Sequence, residues 1–87
     1  MEIFIDPHTL ERASERGASR EEIVETIEKG LTIVGKKGRL GRTMVFEFNS
    51  EWNGKNYLQK KIEVFYVIED DAIITVTVYV YYGKWEG

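Results

Sequence analysis

Residues 72–82, AIITVTVYVYY, decide the fold. The run is built of β-branched and aromatic side chains with neither Gly nor Pro, the composition of a pleated, half-buried strand. Side chains alternate across a sheet, so Ile74, Val76, Val78 and Val80 are expected on one face and Ile73, Thr75, Thr77, Tyr79 and Tyr81 on the other. The first set needs a core. The second carries hydroxyls on an apolar base, which suits a solvated sheet face or the floor of a shallow polar site.

Working outward, Leu58 to Glu69 reads as the preceding strand, with Asp70-Asp71 turning the chain. Pattern argues the register, because a slip of one residue sends every side chain to the opposite face. A three-residue loop pairing Glu69 with Ile73 would set Ile62, Val64, Tyr66 and Ile68 beside Ile74, Val76, Val78 and Val80, and is preferred on that ground to a two-residue turn. Asn53-Gly54 is a hairpin signal, but a plain two-residue turn there would put Phe46 and Ile62 on opposite faces. An odd-length loop or a bulge is therefore expected nearby. Thr43 to Asn49 forms the partner strand, Leu31 to Val34 another, and Lys36 to Arg42 a mobile basic loop between them.

The first third of the chain is helical. Asp6-Pro7 is a helix start and Gly17 a left-handed stop. Ser19 with Glu22 makes a capping box for a second helix that closes at Lys29-Gly30. Its apolar stripe, Ile23, Val24 and Ile27, is too narrow to hold a helix by itself. Glu2 to Ile5 reads as a short edge strand. The expectation is a single domain over residues 1–87 of the α+β class, with two N-terminal helices packed on one face of a twisted, mainly antiparallel sheet of four to five strands.

Composition narrows the function classes. The chain has no Cys, so disulfides, thiolate nucleophiles and Cys-ligated zinc are excluded. The apolar run of residues 72–82 is far shorter than the roughly 20 residues of a membrane helix, and a soluble cytoplasmic protein with no membrane association is expected. The net charge is −3, unevenly spread: eight acids and four bases in residues 1–35, two acids and seven bases in 36–61, five acids and one base in 62–87. Such a distribution suits either one basic patch on an acidic body or a basic loop dispersed into solvent.

His8 is the only histidine, which removes any multi-histidine metal site, and no phosphate-cradling glycine fingerprint is present. No metal and no cofactor is implied. What remains is the helical stripe His8, Arg12 and Arg16 at i, i+4 and i+8, the basic residues Lys36, Lys37, Arg39, Arg42, Lys60 and Lys61, and the Thr75, Thr77 and Tyr79 face of the last strand. This set suits metal-free RNA cleavage, in which His8 or Tyr79 exchanges protons and Arg12, Arg16 and a loop arginine hold the phosphate.

The stretch HTLERASERGASREEIVETI, followed by strands ending in a Thr-Val-Tyr run, resembles a family of small bacterial and archaeal domains of unassigned function. Those domains carry a His-x-x-x-Arg helix, an Arg-Gly corner, a Ser-x-x-Glu second helix and a final Ile-Thr-Val strand. They are similar in turn to the BrnT and RelE-like toxins, and the resemblance covers residues 6–82. It implies a RelE/barnase-like fold and an RNA endonuclease neutralised by a small antitoxin protein. The helix motif falls on His8, Arg12, Arg16 and Gly17, and the strand motif either on Ile74, Thr75 and Val76 or on Thr77, Val78 and Tyr79. A larger aliphatic is usual at Ala18, and the chain is more acidic than a ribosome-directed toxin. The competing expectation is a non-catalytic protein-binding module on the same fold.

Overall fold

A computed structural model describes residues 1–85. Seven elements follow one another: β1 (Glu2–Phe4), α1 (Pro7–Arg16), α2 (Arg20–Lys29), β2 (Leu31–Val34), β3 (Leu40–Trp52), β4 (Lys55–Glu69) and β5 (Ala72–Gly83). The strands form one mixed sheet in the order β1-β5-β4-β3-β2, antiparallel except for the parallel β1–β5 pair. Both helices lie on the same face of it, α1 over β5 and α2 over β3 and β4. The protein is α+β, as its sequence pattern implies.

Local chemistry accounts for the helix ends. Asp6 caps α1 by accepting from the His8 N–H at 2.9 Å, Pro7 occupies the first turn, and Gly17 leaves the helix at φ +90°. A Cβ at Gly17 would also collide with the Tyr82 hydroxyl and the Trp52 ring, so the corner needs glycine twice over. Ser19 and Glu22 form the reciprocal capping box of α2, at 3.1 and 3.0 Å.

Both long hairpins close with two-residue turns whose central residues have positive φ, Asn53-Gly54 at +53° and +82° and Asp70-Asp71 at +49° and +64°. Such turns follow the right-handed twist of the strands, and Asp tolerates the left-handed region by bonding locally. The longer loop expected at Asp70 is thus incorrect: Glu69 pairs with Ala72. The apolar register is recovered by another device. Val76 is an extra residue in β5 with no partner in β4, so Ile68 and Tyr66 pair with Ile73 and Thr75, while Val64 and Ile62 pair with Val78 and Val80.

This bulge corrects the facial assignment of the last strand. Val78 and Val80 face the helices as expected. Before the bulge it is Ile73 and Thr75 that do so, and Ile74 and Val76 stay outside the core cluster. A second bulge, in which Phe48 and Asn49 face Leu58, brings Phe46 onto the core side despite the plain turn at Asn53. Leu40 to Arg42 belong to β3, so the basic loop is only residues 35–39.

The core between helices and sheet is small, built on Ile23, Ile62, Val64 and Val78, all fully buried. Truncating Val78 to Ala should lower stability by about 1–3 kcal/mol in urea unfolding, because it deletes methyl groups where nothing can refill the space. The same change at Val76, outside the core cluster, should cost clearly less.

Candidate functional site

The helices cover one face of the sheet and leave the other open. On that open face the cross-strand register builds a grid. Lys61, Glu63 and Phe65 of β4 stand opposite Tyr81, Tyr79 and Thr77 of β5, and opposite Val45, Thr43 and Gly41 of β3. The chain between β2 and β3 rises beside it. Together Phe65, Thr77, Tyr79, Tyr81 and Glu63, with Val34, Lys36 and Arg39 on the far wall, line a cleft of about 300 Å³. A Cβ at Gly41 would lie 2.8 Å from the Phe65 ring, so the glycine lets that ring settle across the strand.

Cations and aromatic rings are paired throughout this region. The Arg16 guanidinium lies 5.2 Å from the centre of the Tyr79 ring, and the Lys61 ammonium 5.8 Å and 5.1 Å from the rings of Tyr81 and Trp85. Phe65 and Tyr79 meet edge to face, 6.0 Å between centres. Burial raises the pKa of the Tyr81 phenol above its ordinary value, with the negative charge of Glu63 and the neighbouring Tyr79 adding to the effect and Arg16 opposing it. The phenol is therefore held protonated, as a hydrogen-bond donor.

Arg16 reaches this face from the edge of the sheet. β1 pairs only with Ala72 to Ile74, so beyond it β5 has a free edge, where Arg16 Nη1 donates to the Val78 carbonyl at 2.6 Å. Tyr82 returns the contact from the helix side, its hydroxyl donating to the Arg16 carbonyl at 2.7 Å.

The residues proposed from sequence separate into groups. Arg16, Tyr79, Thr77, Lys36, Arg39 and Lys61 come together on or beside the cleft, with Lys37 exposed at the loop tip. His8 is exposed in the first turn of α1, roughly 12 Å along the helix axis from Arg16 at 1.5 Å per residue. Arg12 pairs on the surface with Glu15 at 3.1 Å. Thr75 lies before the bulge and is buried on the helix side, where its hydroxyl accepts from the Asp6 N–H at 3.0 Å. Its placement beside Tyr79 is thereby corrected. Arg42 also faces the helices and donates to the Gly30 carbonyl at the end of α2.

Lys60 is the largest departure from the sequence expectation. Its side chain is buried on the helix side, where the ammonium donates to the Gly17 carbonyl at 2.7 Å and to Glu22 Oε1 at 2.9 Å. Alternation along β4 places Lys61 outside and Lys60 inside, a distinction available once the face of Ile62 is fixed. Glu63 and Phe65 escape sequence reasoning for a related reason. Nothing in an alternating strand marks which polar residue will stand beside aromatic rings of the next strand.

No family model, characterised protein or solved structure matches this chain. Among the described residues, no three His, Asp or Glu side chains gather as metal ligands, and no helix is long and apolar enough to cross a membrane.

Lys60→Met should lower stability by about 1–3 kcal/mol in urea unfolding, because it leaves the Gly17 carbonyl without its partner and removes one of the two donors to the partly exposed Glu22 carboxylate. Tyr82, like Tyr81, has its pKa raised by burial, with Glu22 adding to it. Above the ordinary tyrosine value near 10 the unfolded chain loses protons that the folded chain keeps, so stability should fall as pH rises past 10. Tyr82→Phe should make that fall shallower in denaturant titrations across alkaline pH, while costing about 1 kcal/mol at neutral pH for its bond to Arg16.

Proposed function

We propose that this chain binds single-stranded RNA across the open face of its sheet, as the RNA-directed member of a toxin and antitoxin pair. The observation that carries this reading is the cleft itself: exposed aromatic rings alternate with cations on an uncovered, slightly concave surface. Unstacked bases lie on aromatic faces and the phosphates between them seek Lys and Arg, and a sheet presents both at the spacing its register fixes. Lys36 and Arg39 flank the rings on one side, with Lys37 at the loop tip beyond them, and Arg16 and Lys61 flank them on others. The charge is local, which reconciles RNA binding with a net charge of −3.

Metal-free cleavage is the activity this surface would support. Arg16 and Arg39 would offset the charge that grows on the phosphorane as the 2′-oxygen attacks and gives its proton to water, and the Tyr79 or Tyr81 phenol would protonate the leaving 5′-oxygen. His8, exposed at the far end of α1, is the less central member of the set. An antitoxin suited to this face would be acidic and would fill the cleft. A second reading, docking of a protein partner without chemistry, is favoured by β2, an outer strand whose Leu31 and Val34 are 75% and 95% exposed.

Binding of a fluorescent RNA oligonucleotide should weaken steeply with salt. Neutralising Lys36, Lys37 and Arg39 to Gln should flatten the slope of log affinity against log salt by roughly 0.7 for each phosphate that is no longer neutralised. For cleavage, Arg16→Ala and Tyr79→Phe should reduce the rate of RNA breakdown, or relieve growth arrest on expression, more than His8→Ala or Arg12→Ala. Salt-independent binding, or full affinity in the triple variant, would refute the assignment of this face.

A further inference from the structure

Glu63 is the one group in the cleft that phosphate binding leaves unexplained. It is half-buried on the central strand, between Lys61 and Phe65 and opposite Tyr79. Among the described residues it takes part in neither ion pair, those being Arg12 with Glu15 and Lys60 with Glu22. The nearest cation along the strand, Lys61, lies over the rings of Tyr81 and Trp85. A lone carboxylate on a surface meant for a polyanion works against the phosphates. It belongs there if it meets another part of the nucleotide.

The cleft offers a place for that part. Phe65 and Tyr79 stand edge to face, two walls of a corner with Glu63 beside it, and about 300 Å³ is the small end of the range for ligand pockets, room for one base rather than two. A base stacked in the corner presents its Watson–Crick edge to the carboxylate. An ionised carboxylate has two acceptor oxygens and no donor. Guanine is the RNA base with two adjacent donors on that edge, N1–H and the N2 amino group. Adenine sets a donor beside the N1 acceptor, cytosine a donor beside the N3 acceptor, and uracil a single donor between two carbonyls. The last three each place a lone pair against a carboxylate oxygen.

We propose that Glu63 reads guanine, accepting from N1–H and from the N2 amino group of a base stacked against the corner that Phe65 and Tyr79 form. The site is thereby a guanine subsite within the RNA-binding face, and the inference rests on that RNA-binding reading.

The test uses uridine heptamers carrying a single central guanine, adenine, cytosine, inosine or uracil, with affinity read by fluorescence anisotropy. Wild-type protein should prefer the guanine heptamer by about tenfold or more, the discrimination of a good bidentate pair. Inosine lacks the N2 amino group and should lose a large part of that preference, a readout needing no variant. Glu63→Ala should abolish the preference. Glu63→Gln offers an acceptor beside a donor, the complement of adenine and of cytosine, and should move the preference from guanine toward those two bases. Equal affinity for all five heptamers would overturn the guanine subsite and leave the RNA-binding face standing. Guanine preference that survives in folded Glu63→Ala would also overturn it. Failure to bind any heptamer at low salt would overturn both.

Discussion

The bulge at Val76 is the constraint on which the rest of this molecule depends. A two-residue turn at Asp70-Asp71 imposes one alternation on β5, while the apolar residues of β4 demand the other from Val78 onward. One unpaired residue satisfies both. Upstream of it, Thr75 turns inward and fastens the start of α1 through the Asp6 N–H. Downstream, Thr77, Tyr79 and Tyr81 turn outward together while Val78 and Val80 complete the core. Bulges commonly re-aim side chains beside functional surfaces, and here a single one orients every aromatic residue that β5 gives to the cleft.

The second organising contact is buried at the corner between the helices. Glu22 Oε1 accepts from the Ser19 N–H, closing the capping box, and from the Lys60 ammonium. Lys60 also satisfies the Gly17 carbonyl, which the end of α1 leaves without a helical partner. One ammonium thus joins the end of the first helix, the start of the second and the central strand. The rings of Trp52 and Tyr82 stack at 4.9 Å beside Gly17 and pack against the corner. Ion pairs of this sort gain little over apolar packing, but they fix geometry. They hold α1 in the position from which Arg16 reaches Tyr79.

Much of the fold was legible in the sequence because its signals are local. Asp6-Pro7, Gly17, the Ser19–Glu22 box and the Asn53-Gly54 turn each act within a few residues, and each appears where the chain chemistry puts it. The bulge near Asn53 was legible too, from the conflict between turn and core pattern. The position of the Val76 bulge was not, because adjacent Val, Ile and Thr residues are interchangeable by propensity. The site followed the same division. Arg16 and Tyr79 stand out in the sequence and are in contact, whereas Thr75 reads as outward-facing because the bulge that reverses its parity has no local signal, and Lys60 reads as one of the surface cations although it shares the parity of Ile62. Glu63 had no sequence signal of its own; its place in the cleft is set by neighbours on other strands.

The bond from Arg16 to the Val78 carbonyl has a further consequence, for colloidal behaviour. A strand edge rich in Val, Thr and Tyr is a template on which other copies can add strands, and such growth is how concentrated β-proteins begin to form fibrils. β1 covers only the first three residues of β5. Where that cover ends, a positively charged side chain occupies a carbonyl that an incoming strand would need, and carries a charge that a second copy would have to bury. The same arginine that lies over the Tyr79 ring therefore also blocks part of the open edge of the chain's longest apolar run against a second copy of itself.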